Sequence, residues 1–236
     1  MTEPLFRDDA YLKSCDAVVT GHDPRGGVIL DRTVFYATGG GQPGDRGRLV
    51  LDDGSALDVV DAVKGETSGE IAHILAEGST LPVVGAKVKA ELDWDRRYAH
   101  MRMHSCLHLL SAVLPYPVTG GQVGAEKSRL DFFLPDPPDK QNVTDRLNAL
   151  IAEDIAVEAD WISDQDLAAN PELVKTMSVK PPSGAGRVRL IRIGERDLQP
   201  CGGIHVKRTG EIGAVFVRKI ESKGKQNRRV VIAFAE

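Results

Sequence analysis

The sequence is short of cysteine, of long apolar runs and of a leader-like N-terminus, and each shortage removes a class of protein. Three cysteines in 236 residues, Cys15, Cys106 and Cys201, are too few and too scattered for a disulfide framework. The odd count points to free thiols or a metal ligand. No apolar stretch approaches the ~18 residues needed to cross a bilayer. The opening MTEPLFRDDAYLKSC has no basic stretch followed by an apolar one. The expectation is therefore a cytoplasmic protein with neither a secretory leader nor a membrane span. With 42% hydrophobic and 27% charged residues, wholesale disorder is excluded, and the length suits one large domain or two small ones.

Net charge is −4, which argues against a nucleic-acid partner, but its distribution argues the other way. From Arg187 to Arg229 twelve Lys/Arg face four Asp/Glu, a net +8 that leaves −12 for the rest of the chain. Such a block reads either as a phosphate-binding face or as solvated strands.

Residues 1 to about 90 read as β-structure. Short apolar stretches (CDAVVTGH, GGVILDRTVFYA, GRLVLDDG, LDVVDAV, AKVKAELDW) recur between Gly, Asp and Pro turns, as in a small barrel or sandwich. The loop from Thr38 to Gly47 holds five glycines in ten residues, which lets backbone approach a ligand or take positive φ. Near Asp93 the period changes. Asp95 to Leu114 contains neither Gly nor Pro and reads as a helix, with Asp93 or Asp95 as N-cap and Pro115 as its stop. A strand is expected around 129–134. A second helix is expected from Asn142 to about Ala159, with Val143, Leu147, Leu150, Ile151 and Ile155 on one face. Residues 161–186 read mostly as loop with a short helix, and strands return from Arg187. The expected fold is α+β: a small β-barrel domain over 1–90, then a domain over 91–236 with a helix packed on an antiparallel sheet.

His104 and His108 lie four apart on the expected helix, one turn from each other on one face. Far downstream, Cys201 and His205 flank two glycines in a loop tight enough to turn both side chains inward. Together they form a CysHis3 set suited to tetrahedral Zn²⁺, one ion per chain. Four protein ligands leave open whether such an ion activates water, positions substrate or only staples the fold. His100, one turn back on the same face, reads as a surface histidine, with a second-sphere or substrate contact as the alternative. Cys106 points off the histidine stripe and reads as core.

These residues carry a family likeness. RMHSCLHLL (102–110) resembles the HTAxHLL helix of the editing domain of alanyl-tRNA synthetases. CGGIH (201–205) with VKRTGEIGAVFV resembles that domain's CGGTH loop and following strand. SRLDFF (128–133) resembles its RFDF strand, TVFYATGGGQPGDRG (33–47) its preceding Gly-rich stretch, and KGKQNRRVVIAF (223–234) its closing strand. Nothing resembles a class II aminoacylation core. The chain thus resembles the free-standing alanyl-tRNA editing factors of the AlaX type, in the medium-length form.

The resemblance implies a zinc-dependent trans-editing hydrolase that removes Ser or Gly from tRNA(Ala). The alternatives are Ser on tRNA(Thr), or an RNA-binding module with a structural zinc. It makes His104, His108, Cys201 and His205 the metal ligands. Gly39, Gly40, Gly41, Gln42, Ser105, Gln122, Arg129 and Asp131 become candidates for the substrate pocket, although an internal ion pair explains the last two equally well. Lys207, Arg208, Lys225, Arg228 and Arg229 become candidates for tRNA phosphates. The expected partner is tRNA, with no protein partner evident. Ser105, Cys106 and Ile204 depart from the family's Thr, Ala and Thr, and Ile204 replaces a hydroxyl beside the metal loop with a branched apolar group.

Overall fold

Closing a sheet on itself removes its edges, and the first ninety residues use that solution. The computed structural model describes residues 1–177 and 186–235, in two compact units, Met1–Tyr98 and Ala99–Glu236. In the first, six strands form a closed barrel: β1 (Ser14–Asp23), β2 (Gly27–Leu30), β3 (Gly47–Leu51), β4 (Ala56–Lys64), β5 (Ile71–Leu75) and β6 (Lys87–Leu92), in the order β1-β2-β5-β4-β3-β6. Every pairing is antiparallel. Fully buried Val28, Leu30 and Leu49 alternate with small Ala62, Ala72 and Ala90, the mixture a narrow barrel can hold.

Helix α1 (Trp94–Val113) starts in this unit and continues into the next. Asp93 starts it: its carboxylate accepts from the Arg96 amide (3.2 Å) and its carbonyl from Arg97 (3.0 Å). Arg97 is fully buried and pairs with the buried Asp45. The same guanidinium donates to the carbonyls of Ala10 and Val34, so the first turn of α1 is anchored to the barrel.

The second unit contains β7 (Val118–Gln122), β8 (Lys127–Phe133), α2 (Lys140–Ala152), β9 (Val157–Ser163), α3 (Asp164–Ala169), β10 (Arg187–Ile193), β11 (Asp197–Pro200), β12 (Val215–Ser222) and β13 (Asn227–Phe234). They form a four-stranded antiparallel sheet, β12-β13-β8-β7, and a three-stranded one, β9-β10-β11. Helix α2 buries Val143, Leu147 and Ile151 and is capped by Asp139. Its Asn148 side chain bonds both backbone groups of Val215 on β12. No helix among the described residues is long and apolar enough to cross a membrane.

The mixture of helix and antiparallel sheet is that of an α+β chain. The second helix, however, is shorter than its apolar period implies. It ends at Ala152, Asp154 takes a positive φ of 49°, and Ile155 lies outside it. Residues 157–163 form β9, because every one of them pairs with β10 some thirty residues downstream. That non-local partner has no local sequence signal.

Candidate metal centre

The helical spacing of His104 and His108 puts their ring centroids 5.5 Å apart. The imidazole of His205 enters from the Cys201–His205 loop, 4.4 Å from the His104 ring and 4.6 Å from that of His108. Cys201 Sγ lies 3.3 Å from His205 Nε2 and 3.5 Å from His104 Nε2. One donor atom from each of the four lies within 4.8 Å of the others. A tetrahedral ion with Zn–N near ~2.0 Å and Zn–S near ~2.3 Å separates its N and S donors by about 3.5 Å. The donor set therefore fits such an ion in both type and spacing. The three imidazoles are buried, while Cys201 is half-buried.

His108, His205 and the loop that carries Cys201 are held from behind. His108 Nδ1 donates to Asp197 (2.8 Å), a carboxylate with no exposed surface that also pairs with Lys175. Gln199 Nε2 donates to the same carboxylate (2.8 Å) and to Ser111 Oγ (3.1 Å). This leaves Nε2 of His108 for the cluster, the tautomer a metal requires. His205 Nδ1 lies 3.1 Å from Ser105 Oγ, which also accepts the Val206 amide. The loop itself is held by Arg189, whose guanidinium donates to the carbonyls of Cys201 (3.1 Å) and Gly203 (2.8 Å).

The electrostatics follow this geometry. Burial alone would raise the Cys201 thiol, but the imidazoles of His104 and His205 outweigh it and hold the thiol well below its ordinary value. Burial likewise opposes a charged His108, yet Asp197 and Cys201 push it up to about 9. His205 is pushed down to about 3 by burial and by His104. Cys201 is thus prepared as a thiolate ligand.

The other expected site residues fall in several places. Ser105 is fully buried, with its hydroxyl on His205 Nδ1. Asp131 sits opposite Arg229 in the β8–β13 register and bonds it twice at 2.8 Å, with Arg129 at 2.7 Å; Arg129 also donates to Gln122. Gly39, Gly40, Gly41 and Gln42 lie in the barrel unit. There the amides of Gly39 and Gln42 donate to each other's carbonyls at 3.0 Å, and Gly40 and Gly41 take φ of 58° and 82°. That is a tight hairpin turn of the kind glycine favours. His100 is buried, with 1% of its surface exposed, so reading it as a surface residue is corrected: the helix face it shares with His104 is covered. Cys106 is core, and burial pushes its thiol up to about 12.

The basic block is partly spent internally. Arg192, Arg196, Arg208 and Arg229 pair with Asp160, Glu153, Asp154 and Asp131, all of which precede the block in sequence. Arg228 bonds the carbonyls of Gly224 and Pro135. Lys207 and Lys225 are exposed. Sequence reasoning missed Asp197, Gln199, Lys175 and Arg189. A signal for two of them was present: Asp197, Gln199 and Cys201 alternate along one strand, which places all three on one face.

A family model described as "Threonyl and Alanyl tRNA synthetase second additional domain" matches residues 188–231, which include Cys201 and His205. A second, "tRNA synthetases class II (A)", matches residues 9–96, the barrel. The chain is 37% identical to an alanyl-tRNA editing protein AlaX-M of Methanosarcina mazei, over 100% of this chain and 98% of that protein. It is 35% identical to one from Saccharolobus solfataricus, over 98% of each. It is also 36% identical to an alanine–tRNA ligase of Halorubrum lacusprofundi, where 98% of the chain covers 26% of the ligase.

Proposed function

The chain belongs to the AlaX-M family of alanyl-tRNA editing proteins, and we propose that it hydrolyses the ester joining a wrong amino acid, Ser or Gly, to tRNA(Ala). The observation that carries this reading is the convergence of four donors from a helix and a loop 97 residues apart in sequence, at a spot where Cys201 keeps solvent access. His104, His108, Cys201 and His205 would hold one divalent ion, with zinc the species their type and spacing suit. An ion held there would supply Lewis-acid polarisation of the ester.

The chain's own residues prepare that role. Asp197 and Gln199 fix the ring of His108, Ser105 fixes that of His205, and Arg189 fixes the loop between Cys201 and His205. An aminoacyl ester is already activated, so preorganised electrostatics at the carbonyl supply the larger share of the acceleration. Lys207 and Lys225, both exposed, offer charge to tRNA phosphates. Alanyl editing is favoured over threonyl because the full-length relatives are named for alanyl-tRNA.

A deacylation assay with Ser-, Gly- and Ala-charged tRNA(Ala), with and without chelator, tests the proposal. Ser- and Gly-tRNA(Ala) should be hydrolysed, Ala-tRNA(Ala) spared, and chelator should stop the reaction. Failure to hydrolyse any mischarged tRNA in zinc-replete protein would end it. Because four protein donors can fill a tetrahedral shell, a structural ion in an RNA-binding module is the second reading. His104→Ala separates the two: a hydrolase loses turnover while still folded, whereas a stapled module unfolds.

A further inference from the structure

The four donors account for the reacting end of a substrate, and the register of the three-stranded sheet points to what holds the adjoining base. Trp161 on β9 lies directly opposite Arg189 on β10. The Arg189 carbonyl accepts the Cys201 amide at 3.0 Å, which extends the β10–β11 ladder by one residue. Directly opposed residues share a face, so Trp161, Arg189 and Cys201 form one row across the sheet. Two strand spacings put the Trp161 backbone about 10 Å from that of Cys201, a separation of roughly nucleoside size.

Trp161 is 47% exposed, a large apolar area to leave in water. The guanidinium of Arg187, on the same face, stands 4.3 Å from its ring centroid. The charges of this strand pair are sorted by face. Glu158, Asp160 and Arg192 share the opposite face, where Arg192 lies opposite Glu158 and pairs diagonally with Asp160 at 3.9 Å, while Arg187 and Arg189 share the face of Trp161. An exposed indole braced by a guanidinium, on a face with two cations and next to the reacting centre, has the chemistry of a base-stacking platform.

We propose that Trp161, braced by Arg187, stacks a nucleobase of the single-stranded 3′ end of the RNA whose ester lies at the metal cluster. This rests on the editing reading and adds a subsite to it. Aromatic stacking tolerates any base, so the platform contributes affinity and placement while the tRNA is identified elsewhere.

The test begins with a Trp94→Phe protein, in which Trp161 is the single remaining tryptophan of two. It is titrated with an uncharged RNA hairpin carrying a single-stranded CCA end. Binding should quench Trp161 fluorescence, and the same hairpin without its single-stranded end should leave it unchanged. In the metal-loaded enzyme, Trp161→Ala should raise KM for mischarged tRNA roughly tenfold with kcat retained, and Trp161→Phe should keep most of the affinity. RNA that binds without quenching, or a KM untouched in Trp161→Ala, overturns the platform while leaving the editing reading intact. Quenching in a wild type that hydrolyses no mischarged tRNA keeps the platform and sinks the editing reading. A hairpin that does not bind overturns the platform, and the editing reading is then judged by hydrolysis of mischarged tRNA alone.

Discussion

His73 and His108 are both buried and both bonded, yet their surroundings make them opposites. In the barrel, His73 spends one ring nitrogen on the Val28 carbonyl (2.9 Å) and the other on Thr33 Oγ1 (2.7 Å). Nothing remains for a ligand, and burial pushes its pKa down to about 4. In the second unit, His108 spends one nitrogen on Asp197 and turns the other toward Cys201 and His205, and its pKa goes up to about 9. Burial therefore does not separate a structural histidine from a ligand. What does is whether the protein consumes both nitrogens or fixes one and presents the other.

The contrast can be broken first at the ligands. His104→Ala should cost more than the roughly hundredfold that bounds an outer-shell change, both in metal retention under chelator competition and in deacylation. Circular dichroism should show the fold retained. An ion that stays bound as tightly as in wild type would remove His104 from the donor set.

The second experiment concerns stability alone. His73 is neutral in the fold, with a pKa of about 4, and titrates at 6.5 in the unfolded chain. Between those values the unfolded state binds the extra proton, so stability is full above about pH 6.5 and falls as pH drops toward about 4. The loss is on the order of 3 kcal/mol at about 1.4 kcal/mol per unit. Urea melts of wild type should show it, and His73→Gln should flatten that part of the curve while turnover per folded molecule at neutral pH is unchanged. An acid loss equally steep in the variant would assign the effect to other groups.

A smaller effect is expected at the outer shell. Asp197→Asn keeps the shape but weakens the grip on His108, and metal affinity should fall about 10- to 100-fold. Unchanged affinity would mean that His108 orients itself. The smallest effect is at the surface, where Lys225→Ala should lower the slope of log affinity for tRNA against log salt by roughly one, equally for all tRNAs. Arg229 is already tied to Asp131, so Arg229→Ala should change the sheet as well as the slope.

Much of the site was legible because it rests on local periods. A run free of Gly and Pro sets a helix, and a spacing of four sets His104 and His108 on one face. Two glycines between Cys201 and His205 set a tight loop. The acidic support had only a faint signal, the alternation of Asp197 and Gln199 with Cys201, which gains meaning once β11 pairs with β10. The partner of Asp131 was not legible, since Arg229 reaches it across the sheet from 98 residues downstream. The second helix was overdrawn because the apolar period continues to Ile155, past the point where a long-range pairing claims the chain.

By itself the sequence determined the β-rich first ninety residues, the first long helix, the two histidine-bearing motifs and the family, since helix period, turn chemistry and motif order are all local or linear properties. Tertiary structure alone decided that the motifs meet, which nitrogen of His108 and of His205 is held, and which basic residues are neutralised by acids from elsewhere in the chain. The reason is physical. Register between strands far apart in sequence is fixed by which faces can be buried together, and that is a property of the assembled core and of no single segment.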